Sequence, residues 1–198
     1  MSSYSNRQEF ELDTWPELRD KLQELKNLVN SERTITREFK RMLFTMASLA
    51  GGCVHCQSHG AYSLDKMNVP TERVKALWEY ESSQLFTDAE RAALDLMRDS
   101  SQSPNSVGPE HFEQLRKHYS SEQIVEIVAM SCMASWLNRW NDTIATVTDQ
   151  ESVNWATKNL TDVGWKLGKH EGEAHEQRKA PPSNANWPAR DISEDENG

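Results

Sequence analysis

Gly51-Gly52-Cys53-Val54-His55-Cys56-Gln57-Ser58-His59-Gly60 concentrates two of the chain's three cysteines and two of its six histidines in one short run. Its two glycines can stop a helix, because glycine takes the left-handed geometry of a helix end without steric cost. The thiols then fall on the first turn of a new helix, three residues apart and on a shared face. This reading makes the segments on both sides helical.

Working outward, Ile35 to Ala50 places Phe39, Met42, Leu43, Met46, Ala47 and Ala50 on a wide apolar face, so this helix goes deep. Before it, Thr14 as N-cap, Pro16 and Glu17 open a helix whose Leu18, Leu22, Leu25 and Leu28 form one apolar stripe. After it, Cys53 to Met67 reads as a helix closed by Pro70, and Thr71 to Tyr80 as a short one with Val74, Leu77 and Trp78 inward. Thr87-Asp88-Ala89-Glu90 caps a helix reaching Arg98, and Glu110 to His118 follows a Ser-, Pro- and Gly-rich loop.

Ser121 to Val147 is the most apolar segment, with Val125, Ala129, Met133, Trp136, Trp140, Ile144 and Val147 along one face. Its first half is apolar nearly all round, which demands cover on every side, from its own domain or from a second copy of the chain. Val153, Trp155 and Leu160 suggest one more docking helix. No alternating strand pattern and no internal repeat appears. The expectation is an all-α domain over 14–172, built around a long buried central helix, with a disordered tail at 1–13 and a mobile one at 173–198.

The formal charge of −9 and pI near 5.2 argue against a nucleic-acid surface, and Arg37, Lys40 and Arg41 make only a small basic group. No run of 18 apolar residues exists to span a membrane. The first residues lack a charged-then-apolar signal pattern, so the expected location is cytoplasmic. Three cysteines in 198 residues make no disulfide framework, and a close pair in a reducing compartment points to redox chemistry or metal.

The thiols can close a reversible disulfide, bind metal, or simply pack. Unpaired N–H groups and partial positive charge at a helix start favour a thiolate, and by that argument Cys53 is the more activated. His59, on the same side of the helix as Cys56, suits proton transfer. His55 reads as pointing elsewhere, to solvent or into packing. A c-type haem site would need histidine directly after the second cysteine, where Gln57 stands, and structural zinc would need a second ligand pair. Cys132, His111, His118 and His170 form no such pair, so neither metal nor cofactor is expected. Asn138, Arg139, Asn141 and Asp142 form a polar group late in an apolar helix, suited to a hydrogen-bonded cluster, a subunit contact or a substrate-facing role.

The run Glu38 to Ser48 followed by Ala50-Gly51-Gly52-Cys53-Val54-His55-Cys56-Gln57-Ser58-His59 resembles the carboxymuconolactone decarboxylase superfamily, in its alkylhydroperoxidase D-like (AhpD-like) branch. Gln123 to Val128 with Leu137 to Thr143 resembles a later helix of some members, so the likeness covers about residues 35–147. It implies an all-α domain in trimers or hexamers and a redox CxxC that reduces an organic hydroperoxide or hydrogen peroxide. By that resemblance Cys56 attacks the peroxide and Cys53 resolves, with a dithiol protein as reductant. The chain departs twice: the family's histidine position falls on Gly60, with His59 one residue early, and its proton-relay glutamate falls on Arg41. Glu38, one turn earlier, is the candidate replacement. A thiol-exchange, redox-sensing or metal-binding role on the same fold is the alternative.

Overall fold

The computed structural model describes Leu12 and residues 14–171, and the expected tails otherwise lie outside the described residues. Leu12, within the first of them, is buried in the core. Among the described residues the regular structure is helical throughout: α1 (Pro16–Asn30), α2 (Arg37–Ala50), α3 (Val54–Lys66), α4 (Thr71–Lys75), α5 (Asp88–Ser100), α6 (Pro109–Arg116), α7 (Ser121–Ile144) and α8 (Gln150–Asn159). The domain is all-α, as expected.

Local chemistry accounts for most boundaries. Thr87 and Glu90 form the expected capping box on α5, and Ser120 with Gln123 forms another on α7. Thr36 accepts from the Phe39 N–H at the start of α2, and Asp149 accepts from the Ser152 N–H at the start of α8. At α1 the cap differs from expectation: Trp15 holds the N-cap position without a side-chain bond. Pro16 sets the helix start, and Thr14 stands one residue too early to cap it. Only part of the expected α1 stripe is buried, since Leu22 is covered while Leu25 and Leu28 are 48% and 69% exposed.

Two helices share the centre. The long α7 packs on α1, α2, α3 and α5, and α2 packs on α3, α5 and α7. Gly60 lets α3 approach α2 closely, because a Cβ there would collide with the Thr45 hydroxyl. A histidine at that buried position would clash with the Thr45 side chain. In this chain the ring is carried by His59, one residue earlier.

The buried side of α7 consists of Ile127, Met130, Met133, Ala134 and Leu137, joined by Asn138 and Asn141. This corrects the face read from spacing: Val125 is 68% exposed, and Trp136 and Trp140 stack on each other, half-buried. A helix apolar on several sides carries no periodicity from which one face can be chosen. The polar clamp on α7 is Glu126, paired with the buried Lys40 of α2 at 2.7 Å. No described helix is long and apolar enough to cross a membrane.

Candidate active site

Gly51 closes α2, and Gly52 adopts φ +72°, the left-handed geometry that glycine takes easily. The chain then turns directly into α3 with Cys53 as its N-cap. The Cys53 sulfur accepts the Cys56 backbone N–H at 3.4 Å, and the two sulfurs lie 2.8 Å apart. Both thiols are free and buried. Bringing two thiols to one helix start in this way leaves only a small movement between dithiol and disulfide.

A cavity of about 640 Å³ opens onto Cys56, and Cys53 does not line it. Helix-end electrostatics single out Cys53, but access singles out Cys56. Burial pushes the Cys56 thiol well above its ordinary range, and the adjoining Cys53 adds to this. Asn141 opposes both by donating its amide N–H to the Cys56 sulfur at 3.4 Å. In this resting arrangement Cys56 is a protonated thiol that needs a proton acceptor nearby.

Two histidines line the same cavity. His59 Nε2 lies 2.8 Å from Asp149 Oδ2, the carboxylate that also caps α8. Burial lowers the His59 pKa, Asp149 raises it, Arg41 lowers it, and the net direction is down. His55 does not point away from the site as spacing suggested. It is buried, its Nδ1 is 3.0 Å from Thr148 Oγ1, and its ring centre is 4.5 Å from that of His59. The i, i+4 spacing of the two histidines is the sequence signal that places them together. Burial, followed by the charges of His59 and His170, pushes His55 down to about 3, so it is neutral at ordinary pH.

A segment after α8 closes this side. The Trp165 indole N–H donates to the Val54 carbonyl at 3.1 Å, and the fully buried His170 stacks on His55 at 5.6 Å. Neither contact was legible beforehand, since each joins residues remote in sequence.

The polar group late in α7 divides in two. Asn138 is structural, with its carbonyl accepting from Ser48 Oγ at 3.0 Å and its amide donating to the Ala47 carbonyl at 3.2 Å. Asn141 faces Cys56, Asp142 pairs with Lys169 at 2.6 Å, and Arg139 is exposed. Glu38 is not brought to the thiols: it lies in the first turn of α2, is absent from the cavity wall, and approaches Arg73 at 3.6 Å. Arg41 does line the cavity, with its guanidinium carbon 5.1 Å from the centre of the Phe44 ring. Among the described residues no cluster of His, Cys, Asp or Glu is arranged to hold a metal ion.

This arrangement of helices recurs in solved proteins. The debrominase Bmp8, a cysteine-to-alanine variant bound to 2,3,4-tribromopyrrole, is 28% identical over 74% of this chain and 79% of its own, with a TM-score of 0.71. An AhpD-type protein of unknown function from Agrobacterium tumefaciens is 21% identical over 70% of this chain and 95% of its own, with a TM-score of 0.66. The chain has an AhpD-like all-helical fold. A second AhpD-like structure, a peroxidase-related protein from Ralstonia eutropha JMP134, is 19% identical over 72% of this chain and 76% of its own, with a TM-score of 0.64. In sequence, the uncharacterized protein YdfG of Bacillus subtilis (strain 168) is 24% identical over 111 residues, which is 56% of this chain and 74% of the relative. No family model matches the chain. Arg41, a cation, lines this cavity where the resemblance leads one to expect a carboxylate.

Proposed function

We propose that the protein is a dithiol oxidoreductase that reduces a small electrophile, with an organic hydroperoxide or hydrogen peroxide as the first class of substrate. One observation carries this reading: two free sulfurs 2.8 Å apart, of which only Cys56 faces a substrate-sized cavity. A neutral histidine, His59 held by Asp149 or His55 beside it, takes the Cys56 proton. The thiolate attacks the terminal peroxide oxygen and the O–O bond breaks. The leaving alkoxide recovers a proton from the histidine and departs as alcohol. Cys56, now a sulfenic acid, condenses with the Cys53 thiol, releasing water and forming the disulfide. A dithiol protein then reduces that bond. Metal or cofactor has no part in this scheme, and Glu38 has no place in it either.

The likeness to a debrominase at 28% identity favours a second reading with the same sulfurs. Here the Cys56 thiolate attacks a carbon-bound bromine, and the C–Br electron pair stays on carbon and takes a proton. Cys53 then displaces bromide from the Cys56 sulfur, closing the same disulfide.

Stopped-flow oxidation of the reduced protein tests both, using cumene hydroperoxide in one arm and 2,3,4-tribromopyrrole in the other. The expected result is oxidation in at least one arm faster than a free model thiol, with a Cys53–Cys56 disulfide formed. Cys56→Ser abolishes the reaction, and Cys53→Ser stops it at the oxidised Cys56. Rates no faster than the model thiol in both arms defeat the proposal.

Assembly belongs to the same reading. The exposed Trp15, Leu25, Leu28 and Val125 are apolar surface that a homo-oligomer would cover, and the resemblance implies a trimer or hexamer. Sedimentation velocity at micromolar concentration checks it.

A further inference from the structure

Arg41 lines the thiol cavity as a cation that no carboxylate among the described residues answers. Its Nε is buried and makes no hydrogen bond. Its charged neighbour is Arg37, and burial together with Arg37 lowers its pKa. Arginine nonetheless stays cationic at physiological pH. Asp149, the one carboxylate among the described residues of the cavity wall, is held by His59 and by the Ser152 N–H. A buried donor left unpaired is destabilising, and more so when it is charged. A guanidinium kept for stability alone would be expected to have found an acceptor.

The surroundings of Arg41 define what would satisfy it. The Phe44 ring lies against the guanidinium and limits its orientation, leaving the fork of N–H donors to meet a planar acceptor. Phe44, Leu137 and Val147 give the same cavity an apolar wall. Cys56 and both histidines line the same cavity. We propose that Arg41 is the specificity-determining residue of this site and that its substrate is a small organic oxidant bearing a compact planar anion. The carboxylate or comparable anion sits on the guanidinium, the organic body rests on the apolar wall, and the reducible bond faces Cys56. This rests on the dithiol reading above and adds to it the charge of the substrate.

The test compares cumene hydroperoxide with its para-carboxylate, two oxidants with the same peroxide group. Single-turnover rate constants are measured for wild type, Arg41→Gln and Arg41→Lys. In wild type the carboxylate is expected to react about tenfold to a hundredfold faster, the range that a charge-assisted hydrogen bond supplies. That ratio falls to near one in Arg41→Gln and is partly kept in Arg41→Lys, which retains the charge but not the fork. A wild-type ratio near one, or the same ratio in Arg41→Gln, overturns the inference while leaving the dithiol reading intact. If wild type reacts with neither peroxide, the peroxidase reading falls and calorimetry decides the inference separately. Wild type should then bind 4-isopropylbenzoate in preference to 4-isopropylbenzamide, and Arg41→Gln should lose that preference. Equal binding of the two by wild type overturns it.

Discussion

Lys40 and Arg41 are consecutive cations on α2, and the fold treats them in opposite ways. Lys40 is 3% exposed, and its ammonium donates to the Val29 and Ser31 carbonyls at 3.0 and 2.7 Å while pairing with Glu126 at 2.7 Å. Glu126 in turn accepts from the Thr34 N–H and hydroxyl. The ammonium and the carboxylate of that clamp form an ion pair within the chain. About 100° of helical rotation separates Lys40 from Arg41, which faces the thiol cavity with its Nε unanswered. A buried charge that the chain pairs serves the fold. One that it leaves open beside a nucleophile is held for something arriving from outside.

If this contrast is sound, breaking the clamp should have the largest effect on stability. Lys40→Met leaves Glu126 buried without its cation, and a loss of about 3–5 kcal/mol is expected in urea unfolding. The double variant Lys40→Met with Glu126→Leu should recover most of that, because the cost is the stranded charge and not a missing attraction. A double variant as unstable as the single one would show that the clamp fixes the α1–α2 turn in some other way.

The two regions should also separate by pH. Burial alone would raise the Glu126 pKa, but Lys40 and the Thr34 hydrogen bonds hold it at about 2. Its stabilising contribution is therefore present above the ordinary carboxylate range and is lost as pH falls from about 4.5 towards 2. His55 has the opposite chemistry and the same sign. It is neutral in the fold down to about 3, whereas the unfolded chain binds a proton below about 6.5. Stability from this group falls through that window, with a slope of up to about 1.4 kcal/mol per pH unit. His59 and His170 face His55 and are also shifted down, so they add to the slope. His55→Gln should remove the His55 share between pH 6.5 and 4.5 and leave the steeper loss below 4.5. Unfolding free energies at four pH values read this directly, and an unchanged slope would mean that His55 is not buried in solution.

What was legible in the sequence follows the range of the interactions. The helix joint at Gly51-Gly52, the cap at Thr87 and the juxtaposition of Cys53 with Cys56 all lie within a few residues, and local rules reach that far. The buried side of α7 was misread because Val125 and Ile127 are equally apolar, and only the position of α2 decides between them. Glu38 was proposed from its spacing to Arg41, yet one turn towards the start of α2 carries it away from the thiol end and towards Arg73. Asp149, Asn141 and His170 reach the cysteine turn from elsewhere in the chain, and no local pattern in any of them names its partner.

The smallest expected effect is the one that separates the two cations most cleanly. Arg41→Gln removes a charge that no carboxylate among the described residues pairs and that Arg37 repels. Its stability should therefore stay within about 1 kcal/mol of wild type, and a slight gain is the favoured direction, because relief from desolvation offsets lost packing on Phe44. The same substitution in a clamp residue would cost several times as much, although both side chains are cations on one helix. Urea unfolding of Arg41→Gln beside Lys40→Met checks the pair in one experiment. A loss of 3 kcal/mol or more for Arg41→Gln would mean that the guanidinium already has a partner within the protein, and the contrast between the two regions would disappear.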